Sequence, residues 1–247
     1  MINIVAASIV RNAGVFLRPM ITSLRWVDAH VIVDDHSTDG TSTLLEILAE
    51  EDPRLRPMQP WFSGLMLPII DNRRDVSAER DIRNHFLDAL YVDYRPDALV
   101  LVDADELMHG SLRQLIERVL REGNADAIAL ECNHLVSGRR RLRFLEQCWN
   151  GVKMIDPHVR VLLEKRYYKP GAWDDVPDPF IEPTERTRCA NGLYHFHLKY
   201  LRYTRDCDVL ARLPDYLQKR PESVLLESLP ATLPPDVAAL TDQLRRL

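Results

Sequence analysis

An excess of positive charge is missing from this 247-residue chain: 32 Lys and Arg stand against 37 Asp and Glu, for a formal net charge of -5. Nucleic-acid binding depends on neutralising phosphates, so the overall balance argues against a nucleic-acid partner. Long apolar runs are missing too. No stretch approaches the roughly 18–20 residues needed to cross a bilayer, and no transmembrane segment is expected. The four cysteines, Cys132, Cys148, Cys189 and Cys207, form neither a C-x-x-C pair nor the spacing of a structural zinc site. They are expected to be buried thiols of a protein in a reducing cytoplasm. Glycine is sparse near the start, where residues 8–19 contain only Gly14. That argues against the Gly-rich, Arg-containing phosphate loop with which a sugar nucleotidyltransferase would open. The first apolar run follows no basic leader and reads as a strand, not as a signal peptide.

What is present suits one soluble globular domain, with 46% hydrophobic and 28% charged residues. Residues 2–10 are apolar and rich in β-branched side chains, as in a strand buried on both faces. Leu17, Met20, Ile21 and Leu24 follow at helical spacing, and Pro19 is tolerable there only in a first turn. Val31 to Val33 make a second strand, and the polar turn from Asp34 to Thr41 hands over to a helix carrying Leu44, Leu45, Ile47 and Leu48. Residues 53–76 carry four prolines and read as loop with one short strand. Ala78, Ile82, Phe86, Ala89 and Leu90 then mark a helix that presents Arg80, Asn84 and Asp88 on another face.

Ala98 to Val102 is the clearest buried strand, and it ends in Asp103-Ala-Asp-Glu106. Ser111 and Gln114 form a capping box for a helix that Gly123 should stop. Another strand is expected from Ala127 to Glu131 and a further one from Val159 to Leu163. The basic run Arg139, Arg140, Arg141 and Arg143, with Lys153 nearby, reads as a solvated loop or an anion site. Residues 167–192 read as loop. Tyr194 to Tyr200 alternates with period two, and a last helix begins near Asp236.

These elements predict an α/β fold with a mostly parallel central sheet flanked by helices. In such a sheet the ligand lies beyond the carboxyl ends of the strands, near a switch in strand order. Asp34 and Asp35 leave the second strand, and Asp103 and Asp105 leave the central one. Both pairs therefore converge on one crevice. Asp103 and Asp105 suit a hard divalent cation whose coordination a diphosphate completes. An Asp-x-Asp at a strand end also serves simply to cap a turn. His195 and His197 lie two apart on an alternating strand, on one side of it, and either is a candidate third ligand.

In order along the chain, three motifs resemble those of family 2 glycosyltransferases with the GT-A fold. Val31-Ile-Val-Asp-Asp-His-Ser-Thr-Asp-Gly-Thr41 is similar to V-V-D-D-G-S-T-D-G-T, with His36 in place of the usual Gly. Ala78-Glu-Arg-Asp-Ile-Arg-Asn84 resembles the A-x-x-R-N helix, and Leu101-Val-Asp-Ala-Asp-Glu106 resembles L-D-A-D-E.

This resemblance implies a GT-A-type nucleotide-binding fold. Residues 1–132 would be the nucleotide-sugar half and 133–205 the acceptor half of the same domain, with a helical tail over 206–247. It implies transfer of a sugar from a nucleoside-diphosphate sugar to an acceptor hydroxyl, with inversion and with Mn²⁺ or Mg²⁺. Asp34 or Asp35, Arg80, Asn84 and Asp103 would face the donor, and Lys153, placed beside the basic run and not by the resemblance, is a further candidate for binding its diphosphate. Asp105 would hold the metal together with Asp103 and His195 or His197. The family's Glu-Asp base motif is not evident, and Asp174 or Asp175 takes its place by position. Two other readings compete with this one: a GT-A-like binder that transfers nothing, and a receiver module suggested by Val31-Ile-Val-Asp-Asp-His36.

Overall fold

The computed structural model describes residues 1–62, 69–70, 73–74, 76–137, 140–144, 146–169, 180–198, 224–229 and 232–245. The chain opens with β1 (Ile4–Val10), α1 (Gly14–Ser23), β2 (Ala29–Asp34), α2 (Thr41–Glu51) and β3 (Leu55–Met58). The two-residue strands β4 (Ile69–Ile70) and β5 (Arg73–Arg74) pair with each other. Next come α3 (Val76–Asp93), β6 (Ala98–Leu101), β7 (Glu106–Met108), α4 (Ser111–Glu122) and β8 (Ala127–Ser137). Then follow β9 (Arg140–Phe144), β10 (Glu146–Trp149), β11 (Val152–Ile155), β12 (Pro157–Leu162) and β13 (Thr187–His197). The chain closes with β14 (Val224–Ser228) and α5 (Pro235–Arg245).

The main sheet has the order β14-β9-β8-β12-β6-β1-β2-β3, with β13 joined to β8 and β7. It is parallel through β6-β1-β2-β3. Beyond β6 it becomes mixed: β12 runs against both β6 and β8 and β9 against β8, while β13 runs parallel to β8 and against β7. The parallel expectation therefore describes the first half of the chain, where helical crossovers connect the strands. In the second half β9 returns directly after β8, which suits antiparallel pairing, and the parallel β8–β13 pair is reached only after the intervening strands β9 to β12.

Alternation along β1 distributes its side chains between two cores. Ile4 and Ala6 pack with Leu17, Leu45 and Leu112 of α1, α2 and α4. Val5 and Ala7 pack with Phe86, Leu87 and Leu90 of α3. Helices thus cover both faces, and the α/β class follows from that layering. A third cluster joins Leu107, Leu135, Phe196 and Leu198 to Val237 of α5.

Several local expectations are corrected. Pro19 lies inside α1 and not in its first turn. Its ring has no N–H to donate to the carbonyl of Val15 one turn earlier, so that helical bond is missing. The capping box at Ser111 does not form. Gly110 is the N-cap and has no side-chain bond, while Ser111 Oγ lies 2.7 Å from His109 Nδ1. Gly123 does stop α4, at φ 67, and its N–H donates to Val119 O. Thr187 to Gly192, expected as loop, belong to β13.

The stretch expected to be a helical tail contains a strand, β14, as well as α5. Residue 132 falls within β8, so one sheet runs through both expected halves. The described thiols are free, but Cys148 is exposed and Cys189 only half-buried, so just Cys132 fits the expectation of burial. Cys207 lies outside the described residues. Among the described residues, no helix is long and apolar enough to cross a membrane.

Candidate active site

The chain runs β1, β2, β3 outward and then returns to lay β6 on the other side of β1. The order switches between β1 and β6, and the crevice beyond their carboxyl ends is where such sheets bind ligands. Loops from three strands meet at this end. Asn12, at φ 48 after β1, accepts from Thr38 N–H through Oδ1 at 2.8 Å, and its own N–H donates to Ser37 Oγ at 2.9 Å. Asp34 accepts from Ser37 N–H at 3.2 Å and Ser37 Oγ at 2.5 Å, and Ser42 Oγ reaches its other oxygen. Its carboxylate is therefore engaged in closing the turn. Asp35 is 1% exposed, with His36 Nδ1 at 3.4 Å from Oδ1.

His36 stands at φ 54, a left-handed conformation that glycine adopts without strain. This accounts for the glycine usual at the position in the motif it resembles. Asp39 accepts from Thr41 N–H and Oγ1, and these bonds hold its carboxyl below the usual range.

The second acidic segment lies between β6 and β7. Asp103 N–H donates to Glu106 Oε2 at 3.0 Å, and Glu106 N–H donates to Asp103 O at 3.1 Å, which makes a tight reciprocal turn. Arg83 Nη2 donates to Asp103 Oδ1 at 3.3 Å and Arg160 Nη2 to Oδ2 at 3.2 Å. Burial pushes the Asp103 carboxyl up, but Arg160 and Arg83 outweigh it and leave it below its ordinary value. Arg160 also contacts Glu106, which is fully buried. Burial opposes charge on Glu106 as well, yet Arg160 and then His195 bring its pKa well below normal.

Arg160 is the extra residue where β12 slips register against β8 between Val159 and Val161. Such a bulge re-aims a side chain that regular pleating would place elsewhere. Arg83 also pairs with Glu79 at 2.9 Å and lies 5.4 Å over the ring of Tyr168.

β13 pairs antiparallel with β7, setting His195 opposite Met108 and His197 opposite Glu106. The two histidines separate by partner. His197 Nε2 lies 3.3 Å from Asp105 Oδ1, and Asp105 O accepts from Leu198 N–H at 2.8 Å. Burial alone would lower the His197 pKa; the hydrogen bond and charge of Asp105 more than offset it and leave it raised. His195 is fully buried, with Nε2 at 2.9 Å from Glu106 Oε1 but out of line for a hydrogen bond. Burial dominates there and lowers its pKa.

Beyond His197, its Nδ1 is 3.1 Å from His134 Nδ1. His134 Nε2 is 2.6 Å from Asp156 Oδ2, and His158 Nε2 is 3.2 Å from the same oxygen. Burial pulls His134 down to about 4 despite Asp156.

No protein-family model matches this chain, and no curated protein matches it. Among solved structures, S. aureus TarS 1-349 in complex with UDP-GlcNAc is similar at a TM-score of 0.42 and 17% identity, over 54% of this chain and 35% of that one. The mannosyltransferase PcManGT from Pyrobaculum calidifontis, in complex with GDP-Man and Mn²⁺, is similar at a TM-score of 0.37 and 18% identity, over 54% of this chain and 36% of that one. What this chain does therefore rests on its own residues.

The remaining expected site residues are distributed as follows. Asn84 Oδ1 accepts from Tyr168 N–H at 2.7 Å and its Nδ2 donates to Tyr168 O at 3.1 Å, so both ends of the amide hold a loop. Arg80 pairs with its neighbour Asp81 at 2.7 Å, and Arg83, one turn on, is the arginine that reaches Asp103. Lys153 is exposed on the β10–β11 ribbon. Asp174 and Asp175 lie outside the described residues, as does Arg139. Arg141 is buried, with Nη1 donating to Asn133 Oδ1 at 2.5 Å, so this member of the basic run is not a solvated loop residue. Arg83, Arg160 and Tyr168 were missed as site residues. Arg83 lies within the Ala78–Asn84 helix motif, whereas nothing in the local sequence marks Arg160.

Proposed function

We propose that this protein is a nucleotide-sugar-dependent glycosyltransferase that moves a sugar from a nucleoside diphosphate to an acceptor hydroxyl. The observation that carries the reading is the Asp105–His197 contact of 3.3 Å at the switch-point end of the sheet. One carboxylate oxygen and one imidazole nitrogen converge there, and the side chains are 29% and 20% exposed, open to a ligand. This donor pair fits Mn²⁺ or Mg²⁺, which take few protein ligands and complete their shell with water and phosphate oxygens. Asp103 fits direct coordination less well, because both its oxygens accept from guanidinium groups.

When bound, the cation would offset the negative charge gathering on the departing nucleoside diphosphate. Within the chain, Arg83 and Arg160 fix the Asp103 carboxylate at the crevice, where its free lone pairs suit a ribose hydroxyl donor. Asp35, at the end of β2, is assigned to the base-binding side. Asp174 or Asp175 is assigned to deprotonating the acceptor hydroxyl as it attacks the anomeric carbon, the course that gives inversion.

The test is release of nucleoside diphosphate from UDP-, GDP- and dTDP-sugars with Mn²⁺ and acceptor pools. Turnover with one donor, lost by about 100-fold or more in Asp105→Asn, is the expected result. Full turnover in that variant would overturn the assignment of Asp105.

A further inference from the structure

Behind the Asp105–His197 pair lies a second group of donors of a different chemical character. Cys132, 1% exposed, and His134 sit two residues apart on β8 and so share a face. Asp156, in the turn between β11 and β12, is held at φ 44, a conformation that short polar side chains tolerate better than others. His158 follows on β12 with its side chain 40% exposed. One donor atom each from Cys132, Asp156 and His158 lies within 4.8 Å of the other two. A hydrogen-bonded string of His134, Asp156 and His158 would account for the imidazoles and the carboxylate. It leaves unexplained why a thiol sits among them.

We infer that Cys132, Asp156 and His158 form a binding site for a borderline-soft divalent cation of the zinc class, separate from the oxygen-rich site at Asp105. A sulfur, a carboxylate oxygen and an imidazole nitrogen match the ligands zinc takes, and three protein ligands leave a position open. A thiolate donor discriminates against Mg²⁺ and Mn²⁺, so the two sites select different ions. His134, 2.6 Å from Asp156 Oδ2, is the outer partner that orients the carboxylate. His158, the exposed member, gives the ion its way in. The ion would tie β8 to the turn before β12, and so brace the strand whose Arg160 holds Asp103.

The test uses Co²⁺ alone, titrated into chelator-treated full-length protein. Stoichiometric binding with a thiolate-to-cobalt charge-transfer band in the near ultraviolet, displaced by Zn²⁺, is expected. His158→Ala, a change at an exposed side chain that spares the core, should weaken binding by about 100-fold or more and abolish the band, whereas Asp105→Asn should retain it.

Cobalt bound without a thiolate band would overturn the site. So would a band that survives His158→Ala but vanishes in His197→Ala, since Cys132, His134 and His197 also converge within 4.8 Å. Loss of the band in Asp105→Asn would merge the two sites and overturn their separation. None of these readouts requires sugar transfer, so a failed transferase assay leaves them intact.

Discussion

His197 Nε2 and Asp105 Oδ1 stand 3.3 Å apart although 92 positions separate them in sequence, because β13 returns antiparallel to β7 at the foot of the acidic turn. Its neighbour His195 faces Glu106 instead. The two imidazoles should therefore fail differently. His197→Ala should weaken metal-dependent nucleotide affinity by about 10–100-fold with little change in stability. His195→Ala should cost about 1–3 kcal/mol in urea unfolding while leaving the metal dependence in place. Calorimetry and denaturation of both variants check the pair. Equal effects on metal affinity would contradict the separation of roles.

Arg160 supports two carboxylates at once. Arg160→Leu leaves Glu106 charged and fully buried without its cation. The expected loss is about 3–5 kcal/mol of unfolding free energy. Adding Glu106→Leu should recover much of it, because the charge that lacked a partner is then gone. A double variant no more stable than the single one would contradict that account.

Arg83 and Arg80 make a cleaner comparison, since they lie one helical turn apart and differ mainly in what they reach. Arg83→Ala should reduce nucleotide affinity by about tenfold, equivalent to about 1.4 kcal/mol. Arg80→Ala should leave it nearly unchanged. Titration of both variants under one set of conditions decides between them.

A pH effect is expected away from the site. His30 is 2% exposed, with Nε2 2.9 Å from Ser8 Oγ. Burial lowers its pKa from 6.5 to about 3, with Asp52 offsetting part of the shift and Arg54 adding to it. The folded protein keeps this ring neutral while the unfolded chain protonates it. Its contribution to stability is thus fully present above about pH 6.5 and is lost as pH falls toward 3, at up to about 1.4 kcal/mol per pH unit. His30→Leu should flatten the fall in urea midpoint between pH 6.5 and 4 relative to the unsubstituted protein.

The parallel half of the fold was legible because its strands are continuous apolar runs and its helices carry clear periodicity. Asp34, Asp35, Asp103 and Asp105 could be placed because an acidic residue directly after a buried strand must emerge at the sheet's end. The second half was harder to read. Thr187 to Gly192 look like loop because Arg188, Asn191 and Gly192 interrupt the alternation, and only pairing with β8 makes the segment a strand. Arg160 reaches Asp103 through a bulge, which leaves no local trace in composition. Cys132, Asp156 and His158 come from β8, a turn and β12, so no spacing rule could have joined them. Asn84 and Arg80 show the limit of a motif: it locates the helix, while packing decides which residue faces the crevice.

The most direct measurement of the central claim is calorimetric titration with UDP, GDP and dTDP, each in Mn²⁺ and again in chelator, for the unsubstituted protein and for Asp105→Asn. One nucleotide should bind in Mn²⁺, with affinity falling by about 10–100-fold or more in chelator and in the variant. Binding that ignores both the metal and the substitution, or no binding of any nucleotide, would contradict it.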